Sequence, residues 1–182
     1  MNIAIDGRSL QDHPWTGVGN YTYNLLHSLF KLDKENKYVV WYNACGKLDV
    51  PLFAEYSNIK IQRTRWPNKL LNLSMKALGR PFFPPLRLRG GQEGLRAIHN
   101  SPQPSLTLRE GELDLFFMPN LNFIALAPNT KLIIVAHDLS FEHFPEFFSR
   151  KSRIWHKIIN PRALFARADQ IISVSEHTKG DV

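Results

Sequence analysis

Two short stretches carry residue types whose spacing suits chemistry. Thr16-Gly-Val-Gly-Asn-Tyr21 places Gly17 and Gly19 where a long amphipathic pattern begins. Glycines let a backbone approach a ligand, and a helix N-terminus offers unpaired N–H groups and partial positive charge. Gly17, Val18, Gly19 and Asn20 therefore suit a phosphate. The same glycines also suit a tight turn into the helix. The second stretch is Ala136-His137-Asp138-Leu139-Ser140, directly after the apolar run Leu132-Ile-Ile-Val135. A histidine there can orient a hydroxyl or transfer a proton, and an aspartate can hold a hydroxyl or fix the imidazole. Both residues equally suit capping the segment that follows.

The elements that must position these groups read as follows. Residues 2–5 form a short strand that turns at Asp6-Gly7. After a polar loop, Val18, Tyr21, Leu25, Leu26 and Leu29 recur at helical spacing and predict a helix from Gly17. Residues 38–42 are a β-branched and aromatic strand, residues 59–61 a weaker one, and 68–78 a helix stopped by Gly79. Residues 115–117 and 131–136 read as strands and 149–167 as helical, where Pro161 predicts a kink or two abutting helices. Residues 171–174 form a last strand, and a further helix begins at Ser175. Strands alternating with helices predict an α/β domain on a mainly parallel sheet. Ligands of such sheets gather at the carboxyl ends of the strands, where His137 and Asp138 fall.

Composition excludes several classes. The 182 residues suit one domain of roughly 100–200 residues. With 43% hydrophobic and 21% charged residues the chain is globular rather than disordered. One cysteine, Cys45, rules out an intramolecular disulfide framework and a cysteine-cluster zinc site. No apolar run approaches the roughly 18–20 residues that span a bilayer, and Asp6 interrupts any secretory apolar core. A cytoplasmic protein is the expectation. The loop into Gly17 is about ten residues long and Thr22 stands where a third glycine belongs, so the dinucleotide fingerprint fails. No Gly-Lys-Ser/Thr follows for a Walker loop. His13 suits a substrate-contacting loop beside Pro14 and Trp15. His143, His156 and His177 read as surface or packing residues, and Glu142 and Glu146 define no glycosidase pair.

Lys and Arg number 23 against 16 acids, a net charge of +7. Arg150, Lys151, Arg153, Lys157, Arg162 and Arg167 fall in one stretch without an acid. That stretch suits anionic lipid or a solvated helix face. No recognition motif accompanies the charge, so no nucleic-acid partner is expected. Between Gly79 and Gly111 lie five of twelve prolines and five of ten glycines. Residues 80–112 therefore read as an insertion, disordered or loosely packed, which resembles translated dispersed DNA repeats of bacterial genomes. Its Leu86-Arg-Leu-Arg-Gly-Gly91 matches the tail of ubiquitin, but no ubiquitin-like sequence precedes it.

Three ordered motifs resemble family 4 glycosyltransferases, and its mannosyltransferase-like members in particular. They are Asp6-Gly-Arg-Ser-Leu10 with Thr16–Tyr21, then His137-Asp-Leu-Ser-Phe-Glu-His-Phe-Pro-Glu-Phe-Phe-Ser149, then Arg167-Ala-Asp-Gln-Ile-Ile-Ser-Val-Ser-Glu176. The likeness covers most of residues 1–80 and 113–182. It implies a Rossmann-like domain with helices on both faces, the acceptor-side half of a two-domain fold, in two parts (1–79 and 113–182) around the insertion. It implies metal-independent, retaining transfer of a hexose from a nucleotide-sugar to a glycan or lipid-linked acceptor in polysaccharide or glycolipid assembly. Gly17 and Gly19 would then approach the donor diphosphate, and His137 would line the cleft near the sugar with Asp138 supporting its turn. Arg8, Tyr21 and Ser140 are the expected acceptor contacts. The donor-binding domain of that fold would follow Val182. The chain by itself is accordingly expected to be inactive; a truncated gene, a split gene with a separately encoded donor-binding partner and an excised domain all fit that expectation. It is expected to act at the inner face of the membrane. The alternative is a non-catalytic remnant or a carbohydrate- or nucleotide-binding module.

Overall fold

Apolar residues occupy both phases of the alternation in β1 (Asn2–Asp6), Ile3 and Ile5 in one and Ala4 in the other. That is the pattern of a strand covered on both sides. The same holds in β2 (Lys37–Asn43), β4 (Leu115–Met118) and β5 (Lys131–Ala136), whereas β3 (Ile59–Thr64) and β6 (Gln170–Ser173) are less buried. The computed structural model describes residues 1–11, 14–43, 53, 55–67, 70–73 and 113–182. In it these segments form a six-stranded sheet in the order β3-β2-β1-β4-β5-β6. Every adjacent pair is parallel. The expected mainly parallel sheet is thus wholly parallel among the described residues, in a Rossmann-like strand order that reverses between β1 and β4.

Register aligns the two apolar phases across the sheet. Ile5 lies opposite Val40 of β2 and Phe117 of β4. These residues join Tyr38, Tyr42 and Val135 in one core, which α1 (Gly17–Leu32) closes with Leu26 and Phe30. The opposite phase, with Ala4, Phe116, Met118, Leu132, Ile134 and Ala136, packs beneath Leu139 and Phe165. Helices therefore cover both faces.

Between β5 and β6 the chain forms α2 (Ser140–His143), α3 (Arg150–Ile159) and α4 (Pro161–Arg167). Pro161 gives two helices rather than a kink. Asn160 between them is left-handed, with φ 55°, and its side chain accepts the N–H of Ala163. Asparagine tolerates that conformation, and a proline at the first helical position forfeits no intrahelical bond. After β6, Ser175 caps α5 (Glu176–Asp181) by accepting the N–H of Thr178. Of the helix expected over 68–78, residues 70–73 are described and are helical. The 80–112 segment, His13 and Cys45 lie outside the described residues.

The turn from α1 into β2 is organised by Asp33. Its carboxylate accepts the N–H of Glu35 at 2.9 Å, the N–H of Asn36 at 3.1 Å, and the Asn36 side-chain amide and Tyr38 hydroxyl at 2.6 Å each. These donors, led by the Asn36 amide and then Tyr38, hold its carboxyl far below the usual carboxylate range. A depressed pKa contributes stability above the unfolded-state value of about 3.9 and loses it as pH falls below that. In acid unfolding monitored by circular dichroism, Asp33→Asn should flatten the loss of stability below pH ~4 relative to the parent chain.

Candidate functional site at the sheet's carboxyl edge

Parallel pairing brings the carboxyl ends of all six strands to one edge. At the end of β1, Asp6 and Arg8 form a buried pair, their side chains 3% and 9% exposed. Arg8 Nε donates to Asp6 Oδ1 at 2.9 Å and Nη2 to Oδ2 at 2.7 Å, while Nη2 also reaches the carbonyl of Phe123 at 2.7 Å. The guanidinium stacks 4.5 Å above the ring of Trp41. Arg8 thus lies at the sheet edge with these donors engaged inside the protein. It ties β1 to β2 and to the segment after β4.

Gln11 makes a second tie. Its amide donates to the carbonyl of Asn43 at 2.8 Å and accepts the Asn43 N–H at 3.0 Å, clamping the loop after β1 onto the end of β2. Trp15 Nε1 donates to the carbonyl of Leu10 at 3.1 Å, which folds that loop over the start of α1.

The first turn of α1 divides the glycine pair. A Cβ at Gly17 would meet nothing within 4 Å, so this position borders open space. A Cβ at Gly19 would lie 2.7 Å from Trp15 Cβ and 3.1 Å from the carbonyl of Ser9. Gly19 is there so that the loop can pack on the helix. Thr16 makes no side-chain cap, and the first turn carries no acid. The leading N–H groups and the positive end of the helix dipole therefore meet no capping side chain or acid of that turn. Asn20, which is exposed, gives its N–H to the carbonyl of Thr16 at 3.0 Å, and its side-chain amide reaches the carbonyl of Trp15 at 3.4 Å. Val18 sits half-buried beside Gly17.

Tyr21, one turn along, brings the two sequence motifs together. Its ring meets the His137 imidazole edge to face, with centroids 4.9 Å apart and planes at 87°. His137 follows β5, and its Nε2 donates to the carbonyl of Pro119 at 2.8 Å, after β4. That bond places the proton on Nε2, leaving Nδ1 of the neutral ring as an acceptor. The His137 carbonyl accepts from the Thr178 hydroxyl at 3.1 Å, so α5 also holds the turn.

Asp138 takes the capping role. Its Oδ1 accepts the N–H of Ser140 at 3.1 Å and the Ser140 hydroxyl at 2.6 Å, fixing the entry to α2. The imidazole's hydrogen-bond partner among the described residues is the Pro119 carbonyl, not Asp138. The sequence marks Asp6 only as a turn and the start of a motif, and gives Gln11 and Thr178 no role, although an acid ending a buried strand and a Ser-x-x-Thr helix start are readable signals for Asp6 and Thr178. The carbonyl of Pro119 left none.

Among the described residues no group of three or more His, Cys, Asp or Glu side chains is placed to hold a metal ion. No described helix is long and apolar enough to cross a membrane. Comparison of the chain with protein-family models, curated proteins and solved structures found no match in any of the three.

Two predictions follow from this geometry, both readable by urea unfolding. Gly19→Ala should destabilise the chain by about 1–3 kcal/mol through the displaced Trp15, while Gly17→Ala should change stability by less than about 1 kcal/mol. Asp6→Ala should cost about 3–5 kcal/mol, because it strands the Arg8 charge in the interior.

Proposed function

We propose that this chain is the acceptor-side domain of a retaining glycosyltransferase. It would transfer a mannose-like hexose from a nucleotide-sugar to a glycan or lipid-linked acceptor, acting with a donor-binding domain. The observation that carries the proposal is the Tyr21–His137 contact, with centroids 4.9 Å apart. It sets an unneutralised helix start beside an imidazole acceptor at the point where strand order reverses, the place where open parallel sheets bind ligands. The three ordered motifs that resemble family 4 glycosyltransferases supply the reaction class.

In this reading the N–H groups at Gly17, Val18 and Gly19 face the donor diphosphate. They stabilise the negative charge that grows on it as the glycosidic bond to the sugar breaks. Gly17 is the position that lets the phosphate approach, since Gly19 is committed to packing against Trp15. His137 Nδ1 accepts a hydroxyl of the transferred sugar, with its ring held by Pro119 and Tyr21. Asp138 and Ser140 position that turn. The acceptor lies over the edge formed by Tyr21 and the Arg8 loop. Positioning by one wall of a cleft supplies only part of the rate, so the chain alone should turn over little or no substrate.

Calorimetric titration with a panel of nucleoside diphosphate hexoses tests the proposal. Gly17→Val should weaken binding about tenfold, equivalent to ~1.4 kcal/mol. With a donor-binding domain supplied, His137→Ala should lower turnover about tenfold, the worth of one lost hydrogen bond. Unchanged binding and turnover in both variants would remove these residues from the site. Nucleotide-sugar binding without turnover, even with the second domain present, would favour the binding-module alternative.

A further inference from the structure

The basic stretch after α2 builds a surface that the sugar-transfer reading does not use. Helix α3 carries Arg150, Lys151, Arg153 and Lys157 and no acid. The ion pairs of this stretch are those of Arg162 with Glu142 at 2.8 Å and of Arg167 with Asp169 at 3.5 Å. The four cations of α3 therefore have no acidic partner among the described residues. Arg150, Arg153 and Lys157 line a cavity of about 580 Å³, walled by Phe141, Pro145 and Pro161; the one acid in its lining, Glu142, is held by Arg162, which lines it too. His156 also lines it, and its Nδ1 is buried without a hydrogen-bond partner among the described residues.

Large apolar side chains stand beside this cavity in water. Ile154 is 59% exposed and Ile158 41%, four residues apart on one face of α3, and Trp155 is 37% exposed next to them. Phe144 at 52% and Phe147 at 81% project from the turns that lead into the helix. A hundred-degree advance per residue puts Arg150, Arg153 and Lys157 in a row along one flank of the isoleucines and Lys151 among them. Isolated apolar residues on a surface need no explanation, but five together rimmed by unpaired cations do.

We propose that α3 and the adjoining turns form a seat for the surface of an anionic phospholipid bilayer. A lipid phosphate enters the cavity between Arg150, Arg153 and Lys157. Ile154, Ile158, Trp155 and Phe147 enter the boundary between headgroups and acyl chains. The pairing of exposed aliphatic side chains with unneutralised cations is what an interfacial helix requires. The stem of Lys151 can run through the apolar row while its ammonium stays at the headgroups. A soluble polyanion would use the cations but would leave the isoleucines and Phe147 in water. The inference is independent of the transferase reading, because a chain without any donor chemistry would bind the bilayer equally.

Flotation with vesicles of phosphatidylcholine, with and without phosphatidylglycerol, tests it on the full chain. The parent chain should partition to the phosphatidylglycerol vesicles and lose that partitioning as salt is raised. Arg153→Glu with Lys157→Glu should weaken it on the order of hundredfold. Ile154→Ser with Ile158→Ser should weaken it about tenfold while leaving the salt dependence in place. All four positions are exposed, so circular dichroism should show both variants folded. Equal binding to neutral and anionic vesicles would overturn the proposal. So would equally strong binding of inorganic phosphate or a single-stranded RNA oligonucleotide that is indifferent to the isoleucine substitutions, which would assign the cavity to a soluble anion.

Discussion

β1 is hydrogen-bonded in parallel on both sides, to β2 over Asn2–Asp6 and to β4 from Ile3 to Ile5, and the rest of the chain is arranged around that double pairing. A parallel neighbour can be reached only by a crossover, so α1 carries the chain from β1 to β2 and closes one face, while the α2–α4 segment carries it from β5 to β6 and lies over the other. β1 must also be apolar in both phases, as Ile3, Ala4 and Ile5 are. The strand ends on Asp6, whose carboxylate would be intolerable at 3% exposure without a partner. Arg8 supplies it, and the same guanidinium reaches the carbonyl of Phe123 and the face of Trp41. One ion pair thereby joins the central strand to its neighbours at the edge where the candidate site lies.

The candidate site inherits its geometry from that edge. His137 is held through its ring by Pro119 and Tyr21, and through its carbonyl by Thr178. Three separate elements must therefore be in place before its Nδ1 points anywhere in particular. The glycine loop is more divided than its spacing suggests. Gly19 is required by packing, and Gly17 borders open space with no such requirement. Asp138 and Ser140 serve the backbone of the turn. Chemistry at this edge is thus concentrated on few atoms, with the surrounding polar residues maintaining their positions.

The basic stretch belongs to a different surface. Arg162 and Arg167 are occupied, one by Glu142 and the other by Asp169 and the carbonyl of Thr130 at 2.7 Å. The remaining cations gather on α3 beside exposed isoleucines and phenylalanines. Pro161 and the left-handed Asn160 separate these two populations by breaking one helical pattern into two helices.

The alternation of apolar strands and amphipathic helices was enough to determine an α/β sheet and all six of its described strands. Burial on both faces leaves a compositional mark on β1, β2, β4 and β5 that needs no partner to be read. The motifs at 16–21 and 137–140 were legible for the same reason, since glycine, histidine and aspartate at the end of an apolar run are local signals. Roles within those motifs were not legible. Whether Gly19 spares a ligand or Trp15, and whether Asp138 serves an imidazole or a helix start, depends on neighbours distant in the sequence or on a local bond that residue type leaves open. Only the tertiary structure could set Tyr21 against His137, 116 positions later. It alone chose Pro119's carbonyl as the imidazole's partner and bound Arg8 to Asp6, Phe123 and Trp41. Those contacts arise from strand order and register, which come from burying the whole sheet at once and are written in no single segment.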